Sequence, residues 1–252
     1  MSRISIASFL AIASVLFLIS CDQINTFLGN SPSSVSQDEN IEKRYHKNGK
    51  LRAYYRYDDL KQKHGDAKFY TEDGQIQKSF IYEHGEKIQA TSYYDNGQPL
   101  MEINYKNGVK DGLLKRFYDN GQVESETPYK EDHAGIGLKE FSKSGKPRTH
   151  YPELIVKGID NLDRNGTYII EVYFDKSPGR GTYYMGELTE DKYLSYKLDE
   201  LEKVNYKGRL KLKPPPGVML MEKLNFVGVF KTPTGNKYIQ EKSFNLVLEN
   251  SF

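Results

Sequence analysis

An aromatic residue, three turn-type residues and a glycine recur along residues 41–151, and this repeat constrains the fold more than any single residue does. The units read Tyr45-His46-Lys47-Asn48-Gly49, Tyr70-Thr71-Glu72-Asp73-Gly74, Tyr93-Tyr94-Asp95-Asn96-Gly97, Phe117-Tyr118-Asp119-Asn120-Gly121 and Phe141-Ser142-Lys143-Ser144-Gly145. Successive glycines lie 25, 23, 24 and 24 residues apart, the period of an array in which each unit stacks on its neighbours. Asn-Gly and Asp-Gly favour a two-residue hairpin turn, because both central residues need positive φ and these side chains tolerate it. Each unit is therefore expected to be a β-hairpin.

Parity then assigns faces. Counted from the unit glycine, positions +2, +6 and +8 carry Leu51, Tyr55 and Tyr57, then Ile76, Phe80 and Tyr82, then Pro99, Ile103 and Tyr105, then Val123, Thr127 and Tyr129. Even offsets share one face of a strand. The aromatic at −4 is expected to join them in one ladder. A single layer cannot bury such a face alone, so twist, a neighbouring domain or a partner must cover part of it, with Tyr57, Tyr82, Tyr105 and Tyr129 as candidate ligand or partner contacts. Position −6 is Lys43, Lys68, Thr91, Lys115 and Lys139, with the parity of the −4 aromatics. Either these lysine stems cover rings while their heads stay wet and discourage sheet aggregation, or the row receives an anionic partner such as phospholipid headgroups or an acidic protein surface.

The aromatic-x-x-Asn/Asp-Gly units, each followed by a second turn such as Tyr105-Lys106-Asn107-Gly108-Val109-Lys110-Asp111-Gly112, resemble MORN repeats. They are more closely similar to the bacterial variant found in YwqK-like proteins, an antitoxin-type family. The resemblance covers four full units and a partial fifth. It implies a β-hairpin ladder used as a scaffold and for protein or lipid contacts, and, through the family name, neutralisation of a partner toxin. Gly65 and Gly112 stand nine before the next unit glycine, but Ile88 holds that place in the third unit, so second-turn geometry is expected to differ between units.

Before the repeats, Arg3 precedes an apolar run at 4–19 that closes on Leu18-Ile19-Ser20-Cys21. This run is too short for a confident membrane span and suits a signal peptide over residues 1–20. Its ending resembles the lipobox of bacterial lipoproteins, which implies cleavage before Cys21 and a lipid on its sulfur; a plain secretion signal or a buried helix is the alternative. Acyl chains contribute about 0.8 kcal/mol per buried CH₂, and one chain holds only marginally, so several anchor firmly. A membrane-anchored protein of the bacterial envelope follows. Asp22 resembles an inner-membrane retention signal of some Gram-negative bacteria, while other phyla read that position differently, so inner and outer membrane both stay open. Residues 21–40 lack periodicity and read as a flexible tether.

From 152 to 252 the pattern changes to longer apolar strands, expected at 154–158, 167–174, 182–188, 193–201, 208–212, 224–230 and 238–248, with 198–204 readable instead as a short helix. Turn signals separate them, among them Asn165-Gly166 and Thr232-Pro233-Thr234-Gly235. This count suits an immunoglobulin-like or fibronectin-like β-sandwich, with a core on one face of each strand and surface on the other. The fold class is all-β: a hairpin ladder followed by a sandwich. Tyr183, Tyr184, Tyr193 and Tyr196 raise a glycan platform against the commoner role of strand packing.

A formal net charge of +2 gives no global case for nucleic acid. The only cysteine is Cys21, which leaves neither a disulfide framework nor a cysteine metal site. His46, His64, His84, His133 and His150 show no metal-ligand spacing and read as turn or isolated residues, and no nucleophile elbow, phosphate loop or dinucleotide fingerprint occurs. A non-enzymatic protein without cofactor is expected, working through a protein partner, or else through an anionic lipid or glycan.

Overall fold

The computed structural model describes residues 40–250 apart from Ser177. The expected signal peptide, Cys21 and the expected tether as far as Glu39 lie outside the described residues. Strands β1 (Ile41–Tyr45), β2 (Leu51–Tyr57), β3 (Lys63–Tyr70), β4 (Ile76–Glu83), β5 (Glu86–Tyr93), β6 (Pro99–Lys106), β7 (Val109–Phe117) and β8 (Val123–Lys130) pair antiparallel in chain order. The short strands β9 (His133–Ala134) and β10 (Lys139–Glu140) both pair with β8 and complete a ten-stranded sheet. At a strand spacing of about 4.8 Å the ladder spans about 40 Å.

The unit turns differ from the two-residue form. Gly49 N–H donates to His46 O (3.0 Å) and His46 N–H to Lys50 O (2.8 Å), so three residues form the loop. Only the glycine of each unit turn has positive φ, +81° at Gly49. This is the three-residue hairpin whose last residue forms a glycine bulge, and Gly74, Gly97, Gly121 and Gly145 repeat it. The two-residue form appears instead at second turns, where His84-Gly85 and Asn107-Gly108 both take positive φ. Along the unit-turn edge, side-chain amides of Asn48, Asn96 and Asn120 donate to the carbonyls of Glu72, Asp119 and Lys143, 23 or 24 residues on (2.7–3.1 Å). Asp73 occupies the same place in the second unit and has no amide N–H to give.

Parity also reverses across each unit turn, whereas the second turns β2–β3 and β4–β5 keep it, with Tyr55 opposite Ala67 and Phe80 opposite Ala90. At the unit turns, opposed residues such as Arg44 with Ala53, or Phe69 with Lys78, sum to an odd number, so an even offset does not keep its face through them. Tyr55, Ala67, Phe80, Ala90, Ile103, Leu114 and Thr127 form one cross-strand row. On the other face Lys43, Tyr54, Lys68, Ser79, Thr91, Glu102, Lys115, Glu126 and Lys139 form a second. The −4 aromatics go with this second row: the Tyr93 hydroxyl bonds Ser79 Oγ at 2.8 Å. The single aromatic ladder expected from the sequence is therefore split between two faces.

The C-terminal part carries β11 (Leu154–Asn161), the single-turn helix α1 (Leu162–Asn165), β12 (Thr167–Phe174), β13 (Gly181–Met185), β14 (Asp199–Glu200), β15 (Glu202–Val204), β16 (Lys207–Leu212), β17 (Val218–Lys231) and β18 (Lys237–Asn250). Two four-stranded sheets, β11-β12-β16-β15 and β14-β13-β17-β18, face each other across Leu154, Ile170, Val172, Phe174, Tyr183, Phe226, Phe230, Leu246 and Leu248. The strand expected at 193–201 shrinks to β14, and 198–204 holds no helix.

Close packing at Gly228 generates the first test. A Cβ there would stand 2.5 Å from Leu154 Cδ1 and 2.9 Å from Phe174 Cζ. Gly228→Ala should destabilise the sandwich by about 1–3 kcal/mol through overpacking, read as a lower urea midpoint; an unchanged midpoint would contradict this packing.

Candidate functional site

The lysine face is a mixed-charge row rather than a cationic stripe. Lys115 lies between Glu102 and Glu126 in register, and Lys139 Nζ is 3.8 Å from the Glu126 carboxylate. Lys68 Nζ is 3.7 Å from Asp66, which also accepts from the Tyr54 hydroxyl and from Arg56 Nε at 2.5 Å. Partial burial opposes the Asp66 charge, yet the bonds from Tyr54 and Arg56 prevail and hold its carboxyl below the usual range. Asp66, Lys68, Ser79, Thr91, Tyr93 and Glu102 line a groove of about 440 Å³ on this face.

Tyr57, Tyr82, Tyr105 and Tyr129 lie on the opposite face, so the lysine and tyrosine sets singled out in the sequence do not form one site. Other lysines meet these rings. Lys87 Nζ sits 3.7 Å from the Tyr105 centroid, Lys63 Nζ 4.7 Å from Tyr55 and 5.2 Å from Tyr82, and Lys110 Nζ 5.3 Å from Tyr129. These are cation–π distances. Tyr57 instead donates its hydroxyl to Glu42 at 2.6 Å. Each of these three lysines opens or nearly opens one strand, and its ring closes the next. That pairing is readable only once the second turns are placed. Between these pairs Ala90, Met101, Ile103 and Leu114 remain half-buried on the same face.

The last hairpin is not free. Tyr129 and Ala134 pack with Leu188, Val227 and Ile239 of the C-terminal part. Val227 is on the outer face of its sheet and fully buried there, which corrects the expectation that those outer faces are simply surface. The junction centres on Glu140, 2% exposed. Its Oε1 accepts from Asn236 Nδ2 (2.7 Å), from Thr232 Oγ1 (2.8 Å) and from Thr234 Oγ1, and its Oε2 from the Tyr151 hydroxyl (3.3 Å). Burial disfavours the charge, but these donors outweigh it and lower the Glu140 pKa. Tyr151, stacked on Tyr238 at 4.3 Å, is pushed up to about 12 by burial and by the neighbouring carboxylate.

The sandwich tyrosines form no platform. Adjacent strand residues alternate, so Tyr183 enters the core while Tyr184 joins the opposite cluster. Tyr193 packs against Gly135, and Tyr196 is 85% exposed. Among the histidines, His46 donates to Tyr70 O (2.9 Å) as part of the turn edge. His64 and His84, read as turn residues without metal-ligand spacing, lie together with ring centroids 4.8 Å apart beside Asp58.

Glu140 supplies the second test. Its folded pKa lies below the unfolded value of about 4.5, so its contribution is fully present above that pH and is lost as pH falls through the folded pKa. Glu140→Ala should cost on the order of 2–3 kcal/mol by stranding Asn236 and Thr232. Glu140→Gln should flatten the loss of stability below pH 4.5, measured by urea unfolding across pH; a variant as acid-sensitive as wild type would contradict this role.

Four segments, residues 38–59, 63–84, 88–107 and 110–131, match the model of the MORN repeat variant. No curated protein matches the chain. The four matched segments run along the antiparallel ladder from β1 to β8.

Proposed function

We propose that this chain is a non-enzymatic interaction module of the bacterial envelope, attached to a membrane through lipid on Cys21 and presenting its repeat ladder to a protein partner. The observation that carries the reading is the half-buried apolar strip of Ala90, Met101, Ile103 and Leu114, rimmed by the Lys87–Tyr105 and Lys110–Tyr129 pairs. A surface of apolar centre and aromatic-cationic rim is what protein partners bury. Anionic lipid fits the lysine face less well, because Glu102 and Glu126 interleave with its lysines and would repel headgroups. A toxin would be one such protein partner, a suggestion that rests on the family resemblance alone.

The test uses whole membranes. Wild type should enter the detergent-rich phase on phase separation and Cys21→Ser the aqueous phase; a variant still in detergent would contradict the anchor. A photo-crosslinking residue at Met101 should capture a protein, whereas one at exposed Asp73 should not. Capture of lipid alone at Met101 would move the reading to membrane contact.

A further inference from the structure

The repeat supplies its own internal comparison at the corner where second turns meet. Asp58 opens the turn between β2 and β3, His64 lies on β3, and His84 forms the turn between β4 and β5. Counted from their unit glycines, the equivalent corners hold Glu83, Lys87 and Asn107, then Lys106, Asp111 and Glu131. Each of those sets includes a lysine. Only the first corner gathers two imidazoles and a carboxylate.

The three groups are also positioned. Asp58 Oδ1 accepts the backbone N–H groups of Leu60 (3.0 Å) and Gln62 (2.9 Å), which fixes the carboxylate and leaves Oδ2 turned to His84 Nδ1 at 3.1 Å. His64 Nδ1 lies 3.4 Å from the backbone N of His84, and the two rings tilt 44° to one another. One donor atom from each residue falls within 4.8 Å of the other two. Donors from three residues separated by 6 and 20 positions in sequence thus converge on one point. Two imidazole nitrogens and one carboxylate oxygen form a donor set for a borderline divalent metal, with further positions open to water.

We propose that Asp58, His64 and His84 bind one divalent transition-metal ion, of the zinc or copper class, at the surface of the ladder. Both histidines are exposed and Asp58 is partly buried, so the ion enters without opening the sheet and its remaining positions face solvent. Bound there, it ties the β2–β3 turn to the β4–β5 turn across the intervening strand pair.

Zinc is the probe. The full-length chain, stripped with chelator and held in detergent, is titrated with Zn²⁺ by calorimetry, and should take up one ion per chain and melt at a higher temperature when loaded. His84→Asn keeps a residue that tolerates the turn, as Asn107 does in the equivalent place, and should weaken binding at least about tenfold; His64→Gln should do the same. His46→Gln together with His133→Gln should leave binding unchanged. Equal zinc binding by His84→Asn, His64→Gln and wild type would overturn the assignment, and so would no uptake by a wild type with intact circular dichroism.

Discussion

Backbone pairing between successive antiparallel strands is the interaction on which everything else here depends, because a single layer has no second sheet to cover its apolar face. The side chains compensate by covering one another. Ala53 and Ala67 are almost wholly buried under their neighbours, with Tyr55, Phe69 and Phe80 meeting edge to face at 5.5 and 5.4 Å. Small residues alternating with rings let the row close without a partner layer, and such ring pairs contribute about 0.5–1.5 kcal/mol each beyond area burial.

An array held by nearest neighbours needs ends. At its C-terminal end the ladder runs into the sandwich, where Ser125, Thr127 and Glu140 are buried and the β17–β18 turn delivers Thr232, Thr234 and Asn236 to one carboxylate oxygen. A buried charge that is fully hydrogen-bonded fixes one docking geometry, since displacement would strand it. At the other end, β1 presents Glu42, Lys43 and Arg44 beside Tyr45, and charge on an edge strand opposes pairing with further chains. Capped at one end and charged at the other, the sheet leaves its middle strands as the surface available to a partner.

The period was legible in the sequence because Asn-Gly and Asp-Gly recur with an aromatic four residues before, and the sandwich strands were legible because Ile170 and Val172 flank Glu171 and Leu246 and Leu248 lie between Asn245 and Glu249. The faces were not, because an even offset counted through a unit turn changes face: opposed residues such as Arg44 and Ala53 differ in parity, which sets the −4 aromatics on the face opposite the +6 and +8 residues. The same error selected Lys43, Lys68, Lys115 and Lys139 over Lys63, Lys87 and Lys110. Glu140 was invisible for another reason: the partners of its Oε1 lie 92 to 96 residues away, and the equivalent unit positions, Arg44, Phe69, Ser92 and Arg116, give no hint of a buried carboxylate. Val227 shows the reverse case, an apolar residue on an outer face that clusters with Leu188 and Ile239 and with Ala134 and Tyr129 of the ladder.

Removing one unit tests the nearest-neighbour account most directly. Deletion of residues 75–97 joins Gly74 to Gln98 and sets Ala67 opposite Ile103 and Lys68 opposite Glu102, so every row continues. Amide hydrogen exchange should then find β1–β3 and β6–β8 as protected as in wild type, with only the deleted strands missing. Loss of protection throughout the remaining ladder, while the sandwich core stays protected, would contradict the claim that each hairpin needs only its neighbours.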